Sequence, residues 1–158
     1  MNTTQDYQTN NYVRLCASMN LCVKTILPLL FTLCCLSSPG ISKAATVDTV
    51  TIFSPSMKKE YKCVVITPGM YKKSTAVPVV YLLHGHSGWY ANWILRVPEL
   101  KTWADQYQLM IVCPDGGFNS WYVDSPVDST VRFETYISKE VPDYIDAHYN
   151  TIKSRHGR

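Results

Sequence analysis

The chain has 158 residues, the length of one domain of ordinary size, and a formal net charge of only +3. Its charged residues are dispersed, with no basic stripe, which argues against nucleic acid as a partner. No internal period suggests a repeat protein.

Residues 1–45 differ from the rest. Lys24 precedes an apolar run from Ile26 to Leu36, and Ser37-Ser38-Pro39-Gly40 and Ser42-Lys43-Ala44-Ala45 follow it. A basic residue, a short apolar core and a small-x-small site are the parts of a secretory signal peptide. The apolar core is well short of the roughly 20 residues that a membrane-spanning helix needs. Ser42 and Ala44 take the −3 and −1 positions, so cleavage is expected after Ala44 or Ala45. Residues 1–45 are therefore read as leader and 46–158 as the mature domain, exported to a periplasm or the medium and free of the membrane once cut. Met19 is a second candidate start, since a leader from there has the usual length; an uncleaved anchor is the alternative. Four of the six cysteines (Cys16, Cys22, Cys34 and Cys35) belong to the leader. Cys63 and Cys113 each lie in an apolar run and read as buried small hydrophobes. A disulfide between them is the alternative in an oxidising compartment.

The mature chain begins with Val47 to Phe53, where apolar and polar residues alternate, and Ser54-Pro55-Ser56 breaks the run. Glu60 to Thr67 is the second run, ended by Pro68-Gly69. Two such runs around a turn cluster predict an antiparallel hairpin at a sheet edge. After a polar loop, Val79 to Leu83 is apolar without a break, as expected of a central strand buried on both faces. An aromatic connection with Trp89, Tyr90 and Trp93 follows. Pro98 then stands where a first helical residue is expected, with Glu99 in the first turn. Leu100, Trp103, Ala104 and Tyr107 fall on one helical face. Leu109 to Cys113 is a second buried strand, ended by Pro114-Asp115-Gly116-Gly117. Asp128-Ser129-Thr130 supplies candidate caps for a helix. Its apolar stripe runs from Phe133 to His148, and Pro142 should kink it or shift its start. Strands alternating with helices predict an α/β fold with parallel pairing and right-handed crossovers.

The central run stops at His84-Gly85-His86-Ser87-Gly88, at the strand end where open α/β sheets bind ligands. Glycines there allow a sharp turn that presents bare N–H groups. In serine hydrolases of the α/β type, a loop after the third strand supplies half of the oxyanion hole.

Four pieces make the chain resemble the putative esterase family of α/β-hydrolases, which includes esterase D, tributyrin, feruloyl and acetyl-xylan esterases and mycolyltransferases. They are Ser54-Pro55-Ser56, Tyr81 to Gly88, Ile111 to Gly116, and Ser120-Trp121-Tyr122-Val123-Asp124; Glu140-Val141-Pro142 is similar as well. The resemblance covers about residues 47–158 and implies the amino-terminal half of an α/β-hydrolase sheet, a hairpin and then parallel strands with crossover helices. It implies serine-type hydrolysis of a small ester or acylated carbohydrate, without cofactor or metal. By position, the backbone of His86 and Gly85 forms the oxyanion hole, with the His86 N–H as one donor, and Trp121 and Tyr122 wall the substrate pocket. The nucleophile, acid and base of the family's triad belong further along than Arg158. The expectation is therefore an exported esterase truncated before its nucleophile and inactive as it stands.

Other readings of the same residues remain open. Ser87 lies one residue off a nucleophile turn, and Asp115 or Asp124 with His148 or His156 would complete a triad in a small self-sufficient hydrolase. Ser87 is otherwise a turn hydroxyl, and Asp115 a turn former. His84 and His86 would need a third ligand to hold a metal. Trp89, Trp93, Trp121 and Tyr122 could serve a non-catalytic remnant or carbohydrate-binding module, or plain packing.

Overall fold

The computed structural model describes residues 43–158. The leader's basic residue, apolar core, alternative start and four cysteines lie outside the described residues. Strands β1 (Thr46–Ser54) and β2 (Lys59–Thr67) form the expected antiparallel hairpin, in register from Thr46 opposite Thr67 to Ser54 opposite Lys59. Lys58 carries the turn in the left-handed region, with φ 53°. β3 (Val79–Tyr81) and β4 (Met110–Pro114) complete a sheet in the order β1-β2-β4-β3. β4 runs antiparallel to β2 and parallel to β3. β1 occupies one edge, as the hairpin reading expected.

Two expectations about the strands need correction. β3 is an edge strand among the described residues, shorter than Val79 to Leu83, and it is not buried on both faces. Val79 is 1% exposed, but Val80 is 39% and Leu83 37% exposed. The reason is that one face of β3 looks onto an open groove. β4 is shifted one residue later than the apolar run, because Pro114 still pairs opposite Cys63. All five of its residues are buried.

The helices follow the sequence less closely. The aromatic connection contains a short helix, α1 (Asn92–Arg96), which no apolar period announces. Trp93 Nε1–H donates to the Leu83 carbonyl at 3.0 Å and holds α1 against the end of β3. α2 (Leu100–Tyr107) begins two residues after Pro98, with Glu99 as its N-cap, so Pro98 stands in the turn from Val97 to Leu100 instead of opening the helix. Leu100 and Ala104 are buried as their spacing required, whereas Trp103 and Tyr107 are 44% and 63% exposed.

The last helical run is three pieces: α3 (Phe133–Thr135), a π-turn (Tyr136–Glu140) and α4 (Val141–His148). Pro142 stands in the first turn of α4, where its missing N–H costs least. The proline thus shifts a helix start, and the π-turn carries the chain into it. Asp128 and Thr130 do not cap α3; Asp128 Oδ1 instead accepts bonds from Thr130's own N–H at 2.9 Å and hydroxyl at 2.7 Å. The cap comes from further away: Asp124 accepts from the Thr135 N–H at 3.1 Å and hydroxyl at 2.6 Å.

Two apolar layers flank the sheet. One face packs Ile52, Cys63, Val65, Val79 and Val112 against Phe133, Tyr136, Val141 and Ile145. The other packs Val64, Ile66, Ile111 and Cys113 against Leu100 and Ala104. Cys63 and Cys113 therefore sit on opposite faces, and both are free thiols. No helix among the described residues is long and apolar enough to cross a membrane.

Candidate active site

The loops after the parallel strands β3 and β4 meet at one end of the sheet. His84 joins them. It is 6% exposed, and its ring bridges the two loops: Nδ1 lies 2.9 Å from the Gly85 carbonyl, and the Gly116 N–H donates to Nε2 at 2.9 Å. Those two bonds require the neutral ring with its proton on Nδ1. The Tyr122 hydroxyl adds a third tie by donating to the His84 carbonyl at 2.8 Å. Burial pushes the Tyr122 phenol up to about 12, so it remains a donor at neutral pH. This close approach needs glycine at 116, where a Cβ would lie 2.1 Å from the Tyr122 ring.

Beyond His84 the backbone is strained. Ser87, Trp121 and Tyr122 all have left-handed φ, at 57°, 54° and 56°. Such residues are uncommon outside glycine, and they concentrate where a loop is held for a purpose. Ser87 N–H donates to the Phe118 carbonyl at 2.8 Å, and Gly88 N–H to the Gly85 carbonyl at 3.0 Å. These bonds clasp the loop around His86, whose own N–H donates to no acceptor among the described residues. The His86 ring lies on the surface, with Phe118 at 5.3 Å and Trp121 at 6.1 Å between ring centres. Between the loop at 84–86 and the loop at 117–122 is a cavity of about 140 Å³.

The candidate residues thus divide. Gly85, His86, Trp121 and Tyr122 share this cavity. Trp121 is 77% exposed at its mouth, whereas Tyr122 is as much a structural tie as a wall. Ser87 is exposed, but none of the hydrogen bonds of Asp115, Asp124 or His148 reaches it. Asp115 accepts from the Gly117 N–H at 2.8 Å, as a turn former does. His148 bonds to the Tyr144 carbonyl on its own helix. His84 and His86 do not converge, since one ring is spent inside the loops and the other is outside. Among the described residues no three metal-ligating side chains cluster.

Two contributors escaped sequence reasoning. His84 appeared there only as half of a metal pair, because Gly116, its partner, is 32 positions away. Glu140 was noted as part of a motif without a role. It accepts from the Ser54 hydroxyl at 2.5 Å and from the Ser56 N–H at 2.9 Å, tying the π-turn to the β1–β2 turn. That bond joins two of the pieces that carried the family resemblance.

Residues 54–157 match the family described as Putative esterase. The chain belongs to that esterase family. Its curated relatives include the MPT51/MPB51 antigen of Mycobacterium tuberculosis, 26% identical over 117 residues that make up 73% of this chain and 36% of the relative. Another is the diacylglycerol acyltransferase/mycolyltransferase Ag85A of the same species, 29% identical over 120 residues, 70% of this chain and 32% of the relative. Among solved structures, a ferulic acid esterase superposes with a TM-score of 0.64 at 28% identity, over 73% of this chain and 48% of that one. An S-formylglutathione hydrolase from Agrobacterium tumefaciens, at 22% identity and a TM-score of 0.62, shares the fold. The chain thus spans about a third of the curated relatives and about half of these solved structures. Its mixed sheet, with helices on both faces, is part of an α/β-hydrolase fold.

Proposed function

We propose that this esterase chain is the oxyanion side of an exported carboxylic-ester hydrolase of the serine type, and that its substrate is a small ester or an acylated carbohydrate. The observation that carries the reading is the clasped loop at 84–88. It leaves the His86 N–H unspent beside a cavity while the two N–H groups that follow it, those of Ser87 and Gly88, are bonded within the fold. A fixed N–H of this kind stabilises the charge that develops on a carbonyl oxygen under attack, and losing one such donor typically costs about 2.7–4 kcal/mol. The turn falls at His86–Ser87, with Ser87 in the left-handed region, and the Gly85 carbonyl closes it by accepting from the Gly88 N–H. Trp121 and Phe118 shape the cavity mouth. In this reading the nucleophile, acid and base come from polypeptide beyond the matched region, and residues 1–44 or 1–45 direct export.

The test is a chimera joining residues 46–158 to the carboxyl-terminal half of a related ferulic acid esterase. It should hydrolyse p-nitrophenyl acetate. In it, His86→Pro removes the N–H and should depress turnover far more than His86→Ala, which retains it. Equal losses would assign the role to the imidazole. Residues 46–158 alone should show no hydrolysis above a denatured control, and Ser87→Ala should change nothing. Turnover by the isolated chain, abolished by Ser87→Ala, would make Ser87 the nucleophile and overturn the proposal.

A further inference from the structure

Lys43, Ala44 and Ala45 lead into β1 without regular structure, the first two exposed and Ala45 half-buried against the α2 face of the sheet. The Ala45 N–H donates to Asp105 Oδ2 at 2.9 Å. The other oxygen, Oδ1, accepts from the Gly69 N–H at 2.7 Å. One carboxylate on α2 therefore joins the start of β1 to the turn that ends β2. The fit is close, because a Cβ at Gly69 would lie 1.6 Å from the Lys43 carbonyl oxygen. Among the described residues Asp105 forms no salt bridge with a Lys or Arg, so its charge faces neutral backbone amides.

We propose that the leader is cut at the Ala44–Ala45 bond and that Asp105 receives the α-amino group released there. The inference rests on reading residues 1–44 as a leader, and it deepens that reading by choosing the bond. Water adds across the peptide bond, Ala44 keeps the carboxylate, and the Ala45 nitrogen takes up a proton as an ammonium. That nitrogen already stands at hydrogen-bond distance from Oδ2, so a neutral contact becomes an ammonium–carboxylate pair. Charge-assisted bonds are roughly twice as strong as neutral ones. Cutting one residue later would delete the partner of Oδ2, since Thr46 is the first residue of the ladder, opposite Thr67. The small-x-small pattern places Ser42 and Ala44 at −3 and −1 of the Ala44–Ala45 bond, whereas a cut one residue later would put Lys43 at −3; the position of Asp105 gives the same bond an independent, structural reason.

The test expresses the full chain in an exporting host and sequences the amino terminus of the exported product. A start at Ala45 is expected. A clean start at Thr46 overturns this proposal while leaving export intact, whereas an uncut cytoplasmic product overturns the leader reading itself. The exported protein is then treated with an amine-acetylating reagent and mapped by mass spectrometry. The Ala45 amine should react about tenfold more slowly in native protein than in urea, the protection expected of a charged hydrogen bond. Asp105→Asn should abolish that protection while leaving the labelling of exposed Lys101 unchanged. Equal labelling of Ala45 in native and urea-unfolded protein needs no variant and overturns the proposal.

Discussion

His84 spends both ring nitrogens and its carbonyl on holding two loops together, so its removal has consequences at several atoms. His84→Ala leaves the buried Gly116 N–H without a partner, and a buried group so stranded costs about 1–3 kcal/mol. The expected result is a drop of that order in the unfolding free energy read from a urea titration, with faster hydrogen exchange at Gly116. Gly116→Ala attacks the same join from the other side by displacing the Tyr122 ring, and should release the phenol from the His84 carbonyl. Asp124 supplies a pH test. The Thr135 hydroxyl, then the Thr135 N–H, holds its carboxyl below the ordinary value of 3.8. A folded-state pKa that is depressed contributes stability that is complete above the unfolded value and lost as pH falls through the folded one. Stability should therefore decline on the acid side, below about pH 4. Thr135→Val should raise the Asp124 titration, read by carboxylate NMR, and flatten that decline.

Elements bounded by glycine, proline and serine clusters were legible in the sequence. Pro68-Gly69 closes β2 and Ser54-Pro55-Ser56 opens the turn before it, because proline fixes φ, glycine takes conformations other residues avoid and serine bonds nearby backbone wherever they stand. Periodicity was less informative about surroundings. Leu100, Trp103, Ala104 and Tyr107 do share a helical face, but the pattern says nothing of what covers it, and Trp103 and Tyr107 are exposed. α1 is too short for any period to appear. At the site, the glycines of the loop marked its place, while the tie that shapes it joins residues far apart in the chain. The same limit applied to Glu140, whose partners are more than eighty positions away. Glu140→Ala would remove the short bond of the buried Ser54 hydroxyl, leaving it the Ser56 hydroxyl at 3.2 Å and the Met57 N–H at 3.3 Å, and would separate the hairpin turn from the π-turn. A loss of about 1–3 kcal/mol is expected in a denaturant titration. Glu140→Gln, which keeps an acceptor, should recover part of it.

At the scale of the whole molecule, one side of the sheet is unfinished among the described residues. Val77 forms a parallel bridge to Thr151, receiving and giving one hydrogen bond on the flank of β3 away from β4. The apolar groove beside it, about 350 Å³ between β3 and α2, is lined by Val80, Leu82, Trp103 and Tyr107 among others. Open strand edges and apolar patches recruit other chains. The domain 46–158 on its own should self-associate in size-exclusion chromatography, and Val80→Lys with Trp103→Glu should shift it toward monomer. Unchanged elution would refute this. The two cysteines give that question a finer instrument. Burial pushes the Cys113 thiol up to about 12 and the Cys63 thiol higher still, so neither reacts as thiolate while its layer is closed. Because they lie on opposite faces, an alkylating agent that tags Cys113 before Cys63 would show the α2 layer lifting while the Tyr136 layer holds. Simultaneous tagging would show that the sheet and both layers come apart as one cooperative unit.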